Sequence, residues 1–143
     1  MKVYKALKVK KNLISAISQL TDLIQSNNSI QTENEFEFDI NELFEKRQEK
    51  VAELINLKKQ FSITARPIQE KIFKLSELKQ ELQMLKGIST EQGVTSRRYS
   101  DTMVTKKVQI TKVELVKMIE SLVGKIDNIQ SEIDEFNYST ELI

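Results

Sequence analysis

The sequence predicts a mainly α fold, an antiparallel four-helix bundle or pair of long helical hairpins with a small two-stranded β element at one end. Three observations predict it. Leu115, Ile119, Leu122, Ile126, Ile129, Ile133 and Phe136 form an unbroken apolar seam whose steps alternate four and three residues. That spacing holds one stripe of a helix against a partner turn after turn. The composition is the second: 143 residues with 3 Gly, 1 Pro, 30% charged and 39% hydrophobic residues. Long helices with narrow apolar stripes need no more than that. The third is a set of start and stop signals that divide the chain, read as a single domain over 1–143, into helices at about 4–26, 40–64, 67–87 and 112–137.

The first helix carries Ala6, Leu13, Ile17, Leu20 and Ile24 on its stripe, with Lys10 interrupting it. Asn27-Asn28-Ser29 ends it, because short polar side chains compete with the helical backbone and Asn accepts a left-handed stop. Asp39, with Glu42 three residues later, is a capping-box-like start for the second helix. Its stripe is Ile40, Phe44, Val51, Leu54 and Phe61, widened by Leu43 and Leu57; Arg47 and Lys58 fall on it and can lay their stems along apolar surface. Pro67 suits a first helical position and disfavours helix at Arg66, so it opens the third helix. Ile68, Ile72, Leu75, Leu78, Leu82 and Leu85 point inward there, and Gly87 stops it. Thr111-Lys112-Val113-Glu114 is a second capping box and opens the helix that carries the seam.

Two segments alternate with period two. Residues 103–110 place Val104, Val108 and Ile110 on one face, and residues 33–38 read Glu-Asn-Glu-Phe-Glu-Phe. Both are candidate strands. In an up-and-down bundle they lie at one end, with Phe36 and Phe38 beside Val108 and Ile110, and Glu35 and Glu37 facing Lys106 or Lys107. Ile88–Asp101 is expected as a loop. Charge points to the same topology. Lys2, Lys5, Lys8, Lys10 and Lys11 crowd a helix start, and Asp127, Glu132, Asp134 and Glu135 crowd a helix end. Each cluster opposes its own macrodipole, so each is expected to compensate the other.

The chain contains no His and no Cys, which removes an imidazole base, a thiolate nucleophile and ordinary zinc or iron–sulfur ligation. No catalytic residue, metal site or cofactor is expected. Asp127, Glu132 and Asp134 read as a solvated, ion-paired face, because a di-metal bundle supplies Glu-x-x-His pairs pointing inward. Arg97, Arg98 and Tyr99 are a candidate grip for a phosphate, a carboxylate or an acidic partner. The alternative reading packs Tyr99 on the bundle and pairs the arginines with Glu35, Glu37 or Glu91. Asn137 and Tyr138 belong to a tail that serves either as a recognition element or as a fold-back cap in which Tyr138 and Leu142 close the bundle foot.

Several of these landmarks together resemble the septicolysin-like family of small, largely uncharacterised bacterial helical proteins. They are the amphipathic opening Leu13–Leu23, the polar segment Asn27–Gln31, Asn41-Glu42-Leu43, Arg98-Tyr99-Ser100, and the ending Ile129-Gln130 through Asn137-Tyr138-Ser139-Thr140-Glu141-Leu142. The resemblance covers the whole chain and implies a helical fold, with a membrane-active function suggested by the family name. Tyr138 stands where that family is expected to carry tryptophan.

The function expected from the residues is a non-enzymatic structural or interaction module that self-associates. Phe73, Met84, Val116 and Val123 have no cover within one chain, and uncovered apolar positions mark interfaces. A homo-oligomer is the expected partner state. A membrane-active protein is the alternative, although the acids of the last helix suit anionic membranes poorly. A nucleic-acid or acidic-partner adaptor using Lys2–Lys11 with Arg97 and Arg98 is a further one; a net charge of +1 does not favour nucleic acid. Residues 1–8 lack an uninterrupted apolar run and no stretch reaches membrane-span length, so the expected location is cytoplasmic.

Overall fold

The computed structural model describes residues 1–96 and 103–143. Its elements are α1 (Val3–Asn27), α2 (Ile40–Thr64), a 3-10 turn (Arg66–Ile68), α3 (Gln69–Lys86), β1 (Gly93–Ser96), β2 (Met103–Lys106) and α4 (Lys112–Ser139). The fold is a helical bundle of antiparallel pairs with a small two-stranded antiparallel sheet. The chain forms two compact units, one of Met1–Ile68 with Asp134–Ile143, the other Gln69–Ile133.

In the first unit α1 and α2 pair in antiparallel fashion around Ala6, Leu13 and Leu57, with Leu54, Phe61 and Leu142 packed against them. Ala6 is fully buried, so the helices approach closely there. Lys10, which interrupts the stripe, is half-buried and holds its ammonium 5.7 Å from the centre of the Phe61 ring. Arg47 donates from Nε to Thr21 Oγ1 at 3.0 Å, while Thr21 Oγ1 donates to the Ile17 carbonyl at 2.8 Å. Two of the three cationic interruptions of the apolar stripes, Lys10 and Arg47, are thus given aromatic or polar partners across the helix pair, while Lys58 is exposed.

In the second unit Leu75 and Leu85 of α3 and Leu115, Leu122, Ile126 and Ile133 of α4 are buried. Ile119 and Ile129 are half-buried. Lys71, near the start of α3, pairs with Glu132, near the end of α4, at 3.0 Å, which fixes the antiparallel sense. α4 starts as its sequence signal requires: the Thr111 N–H donates to Glu114 Oε2 at 3.1 Å, and the Glu114 N–H donates to Thr111 Oγ1 at 3.3 Å. At α2, Asp39 Oδ1 accepts from the Asn41 N–H at 2.9 Å.

Four expectations need correction. Residues 33–38 form turns and bends, not a strand, and Phe36 is 66% exposed. Their alternation comes from Glu and Phe without a β-branched residue, and Asp39 begins α2 immediately. The partner of β2 is β1, within the segment expected as a loop, in the register Gly93↔Lys106 to Ser96↔Met103. That pairing closes a short loop and so costs less chain entropy than a distant one. It also sets the length of β2. β1 begins at Gly93, whose φ of +84° only glycine adopts without strain, so residues 107–110 have no strand to pair with. Lys106 accordingly pairs with Glu91 at 2.7 Å, and the ammonium holds the Glu91 carboxyl below its usual range. Pro67 sits in the 3-10 turn, where the Ile68 N–H reaches the Ala65 carbonyl at 3.1 Å, and α3 starts two residues after it. Finally, Asn28 is not left-handed but has φ −73°. α3 does end at Lys86, directly before Gly87, whose N–H donates to the carbonyls of Gln83 and Met84 at 3.2 and 3.1 Å.

Gly124 lies in mid-α4, exposed, and a Cβ built there meets nothing within 4 Å. Gly124→Ala is therefore expected to stabilise the monomeric fold by about 0.5–1 kcal/mol, through helix propensity and a less flexible unfolded chain. A thermal melt of a dilute sample checks it; a lower melting temperature would contradict an open helix face there.

Candidate functional site

The chain ends meet in the first unit. α1 starts without a side-chain cap at Lys2. Its Val3 N–H instead donates to the Thr140 carbonyl at 3.0 Å, so the tail supplies the acceptor that a capping side chain would. The exchange is reciprocal: Lys2 Nζ donates to the Ser139 carbonyl at 2.8 Å, at the C-terminus of α4, where a cation is favoured. Lys2 and Glu141 form an isolated antiparallel bridge, and the Leu142 N–H donates to the Met1 carbonyl at 2.8 Å. The Ile143 N–H donates to Oγ1 of Thr64, a buried polar side chain, at 3.1 Å. Leu142 packs on the Ala6–Leu13–Leu57 cluster.

The tail folds back onto the first unit through Leu142. Tyr138 does not bury itself. It is 64% exposed and lies against Tyr4, ring centres 4.7 Å apart and planes at 38°. Lys5 and Lys8 hold their ammoniums 6.0 and 5.9 Å from the Tyr4 ring centre. The outer surface here is a lysine–tyrosine face. Asn137 is half-buried in the last turn of α4, as is Phe136, the last residue of the apolar seam.

Glu141 receives the Met1 ammonium at 2.9 Å and Lys2 Nζ at 2.9 Å. Those two donors, the terminal ammonium foremost, hold its carboxyl down to about 2. A carboxylate with a folded-state value below its unfolded value near 4.5 contributes stability above pH 4.5 and loses it as the pH falls towards 2. Protection of the Val3 and Leu142 amides, taken relative to their intrinsic exchange rates at each pH, is therefore expected to fall over that window in the wild type and to be flat there in Glu141→Gln. An unchanged pH profile in that variant would contradict the assignment.

The lysine cluster and the acidic helix end were expected to compensate one another. The pairing that forms runs through Lys2 and Glu141, whereas Glu132 is taken by Lys71. Among the described residues no group of three or more His, Cys, Asp or Glu is arranged to hold a metal ion. Arg97, Arg98 and Tyr99 lie outside the described residues. Sequence reasoning missed Glu141 and Thr64. The surplus of lysine at residues 2–11 was the available signal, but it pointed to the nearer run of acids in α4.

The second unit presents its own candidate surface. Phe73 (60% exposed) and Met84 (58%) lie on one outer stripe of α3 with Glu77 and Gln80 between them. Val113 (66%), Val116 (45%) and Val123 (37%) stand three and seven residues apart on α4, with Glu120 between the last two, away from its buried seam. Between the helices Leu78, Leu85, Met118 and Leu122 floor a groove of about 400 Å³, rimmed by Glu81, Lys117 and Lys125. No described helix is long and apolar enough to cross a membrane.

Fold and surfaces together define a helical-bundle protein whose prominent features are helix faces and joined chain ends. The chain belongs to a family of unknown function, DUF6847, whose model matches residues 10–142. No curated protein and no solved structure matches it.

Proposed function

We propose that the protein is a non-enzymatic, cytoplasmic structural or protein-interaction module that self-associates, with coiled-coil-like contacts through the outer stripes of α3 and α4. The observation that carries this reading is the exposure of Phe73, Met84, Val113, Val116 and Val123 at regular helical spacing. Apolar side chains scattered singly on a surface need no explanation, but Val116 and Val123, one heptad apart, and Phe73 and Met84, on one stripe of α3, recur on the same helix faces as the anchors of an interface do. The β element offers a lesser apolar surface in Val94 and Met103, 64% and 62% exposed. Because each outer stripe repeats in every copy, a second copy is a self-complementary partner, and closed symmetric association follows. A single glutamate in such a seam leaves a buried charge unpaired. Phe73→Glu and Val116→Glu are therefore each expected to weaken association at least tenfold, with helical content retained. Sedimentation velocity over a concentration series reads this, and variants that associate like the wild type would refute the assignment of these stripes.

A further inference from the structure

The first unit is polarised along its length. Lys2, Lys5, Lys8, Lys10 and Lys11 open α1, and the first acid of the chain is Asp22. α2 runs back beside α1, so Lys58, Lys59 and Arg66 arrive at the same end. The acids at that end are outnumbered: Asp134 and Glu135 in the last turns of α4, and Glu141, which is occupied by Lys2 and the Met1 ammonium. The opposite end carries Glu33, Glu35, Glu37 and Asp39 in the α1–α2 connection, followed by Glu42, Glu45 and Glu49 in α2, which outnumber Lys46, Arg47 and Lys50 there. α1 has 25 residues, and at 1.5 Å each the two ends are about 37 Å apart. The screening length at physiological ionic strength is about 8 Å, so neither end neutralises the other within one copy.

Both ends also expose aromatic surface. In the connection, Phe36, Glu37, Phe38 and Asp39, with Asn28 and Ile40, line a cleft of about 440 Å³, and Phe36 is 66% exposed. Two rings and two carboxylates around an opening are the chemistry that receives an ammonium: the ring faces attract the cation and the carboxylates pair with it. At the basic end Lys5 and Lys8 already rest beside the Tyr4 ring, Lys11 is exposed, and none of the three makes an ion pair with a described residue.

We propose that the acidic, phenylalanine-lined cleft of one copy receives the exposed α1 lysines, Lys5, Lys8 and Lys11, of a second copy. Charge complementarity selects this occupant, since each copy carries one surface and its complement. The two surfaces differ, so the contact is heterologous and joins copies head to tail, closing a ring or extending a row. The inference rests on the self-association proposed above in taking a second copy as the partner, and places an electrostatic contact on a different surface from the α3 and α4 stripes.

Two charge-reversed chains test it. One carries Lys5→Glu, Lys8→Glu and Lys11→Glu; the other carries Glu35→Lys and Glu37→Lys. At low salt each alone is expected to associate at least tenfold more weakly than the wild type. Mixed together they are expected to regain association, because the acidic cleft of the first meets the intact lysines of the second, and the reversed surfaces complement each other too. Recovery on mixing also establishes that both variants are folded. Raising the salt is expected to weaken the wild-type contact by about tenfold. Unchanged association in either variant, or no recovery on mixing, overturns the contact. If Phe73→Glu disperses the protein while both reversals leave it assembled, this contact alone falls. A wild type that is monomeric at every salt concentration removes the self-association reading as well.

Discussion

Leu122→Ala is expected to lower the unfolding free energy by about 2–3 kcal/mol, the largest single effect on the second unit. Leu122 is 5% exposed at the middle of the α4 seam and floors the α3–α4 groove with Leu78 and Leu85. Deleting its isobutyl group removes the transfer free energy of the buried carbons and leaves a gap. The groove beside it lets neighbours relax, which puts the cost at the low end of the leucine-to-alanine range. Val123→Ala, one residue on and 37% exposed, is the matched control, and its cost in a dilute sample is under about 1 kcal/mol. Urea denaturation followed by far-ultraviolet circular dichroism measures both. Equal losses at the two positions would mean that the seam is not what holds α4.

Leu142→Asp is expected to cost about 2–3 kcal/mol and to release the tail. Leu142 is the apolar anchor of the segment: it packs on Ala6, Leu13 and Leu57, while its own N–H donates to Met1. A carboxylate cannot occupy that place without leaving it. Once residue 142 leaves, the bonds from Val3 to Thr140 and from Ile143 to Thr64 lose the geometry that aligned them. The buried Thr64 hydroxyl then loses its donor, which adds to the cost. Hydrogen exchange at Val3 and Ile143 is expected to accelerate together in the variant. Protection retained at both sites would show that the ends are held by something other than this side chain. The ion pairs of Glu141 are exposed and contribute little by comparison; they orient the bridge that Leu142 anchors.

The same contrast explains what the sequence discloses and what it conceals. Helices leave local signals. Asp39 and the Thr111–Glu114 box are short-range hydrogen-bonding devices, and α2 and α4 begin at them. The stripe spacing of α4 identifies its inward residues because a helix repeats its contacts every turn. Strand pairing leaves a weaker signal. Residues 33–38 alternate as a strand does, yet alternation over so few residues also suits a turn leading into an N-cap. Val94-Thr95 carried the β-branched residues that the strand assignment of residues 33–38 lacked, but Gly93 and the surrounding Ser and Thr masked them. The joined ends were legible only as an imbalance of charge. A bridge between Lys2 and Glu141 has no periodicity to read, and a backbone carbonyl that caps a distant helix leaves no mark in the side chains. The outer stripes were legible for the opposite reason: Phe73, Met84, Val116 and Val123 break the rule that apolar residues have cover, and the structure leaves them uncovered.

Self-association as proposed sets these uncovered helix faces against a second copy. Multi-angle light scattering of the chain at tens of micromolar, in enough salt to silence the charged ends, tests it most directly. The expected mass is a whole multiple, two or more, of 16.6 kDa. A single species at 16.6 kDa, unchanged on concentration, contradicts it.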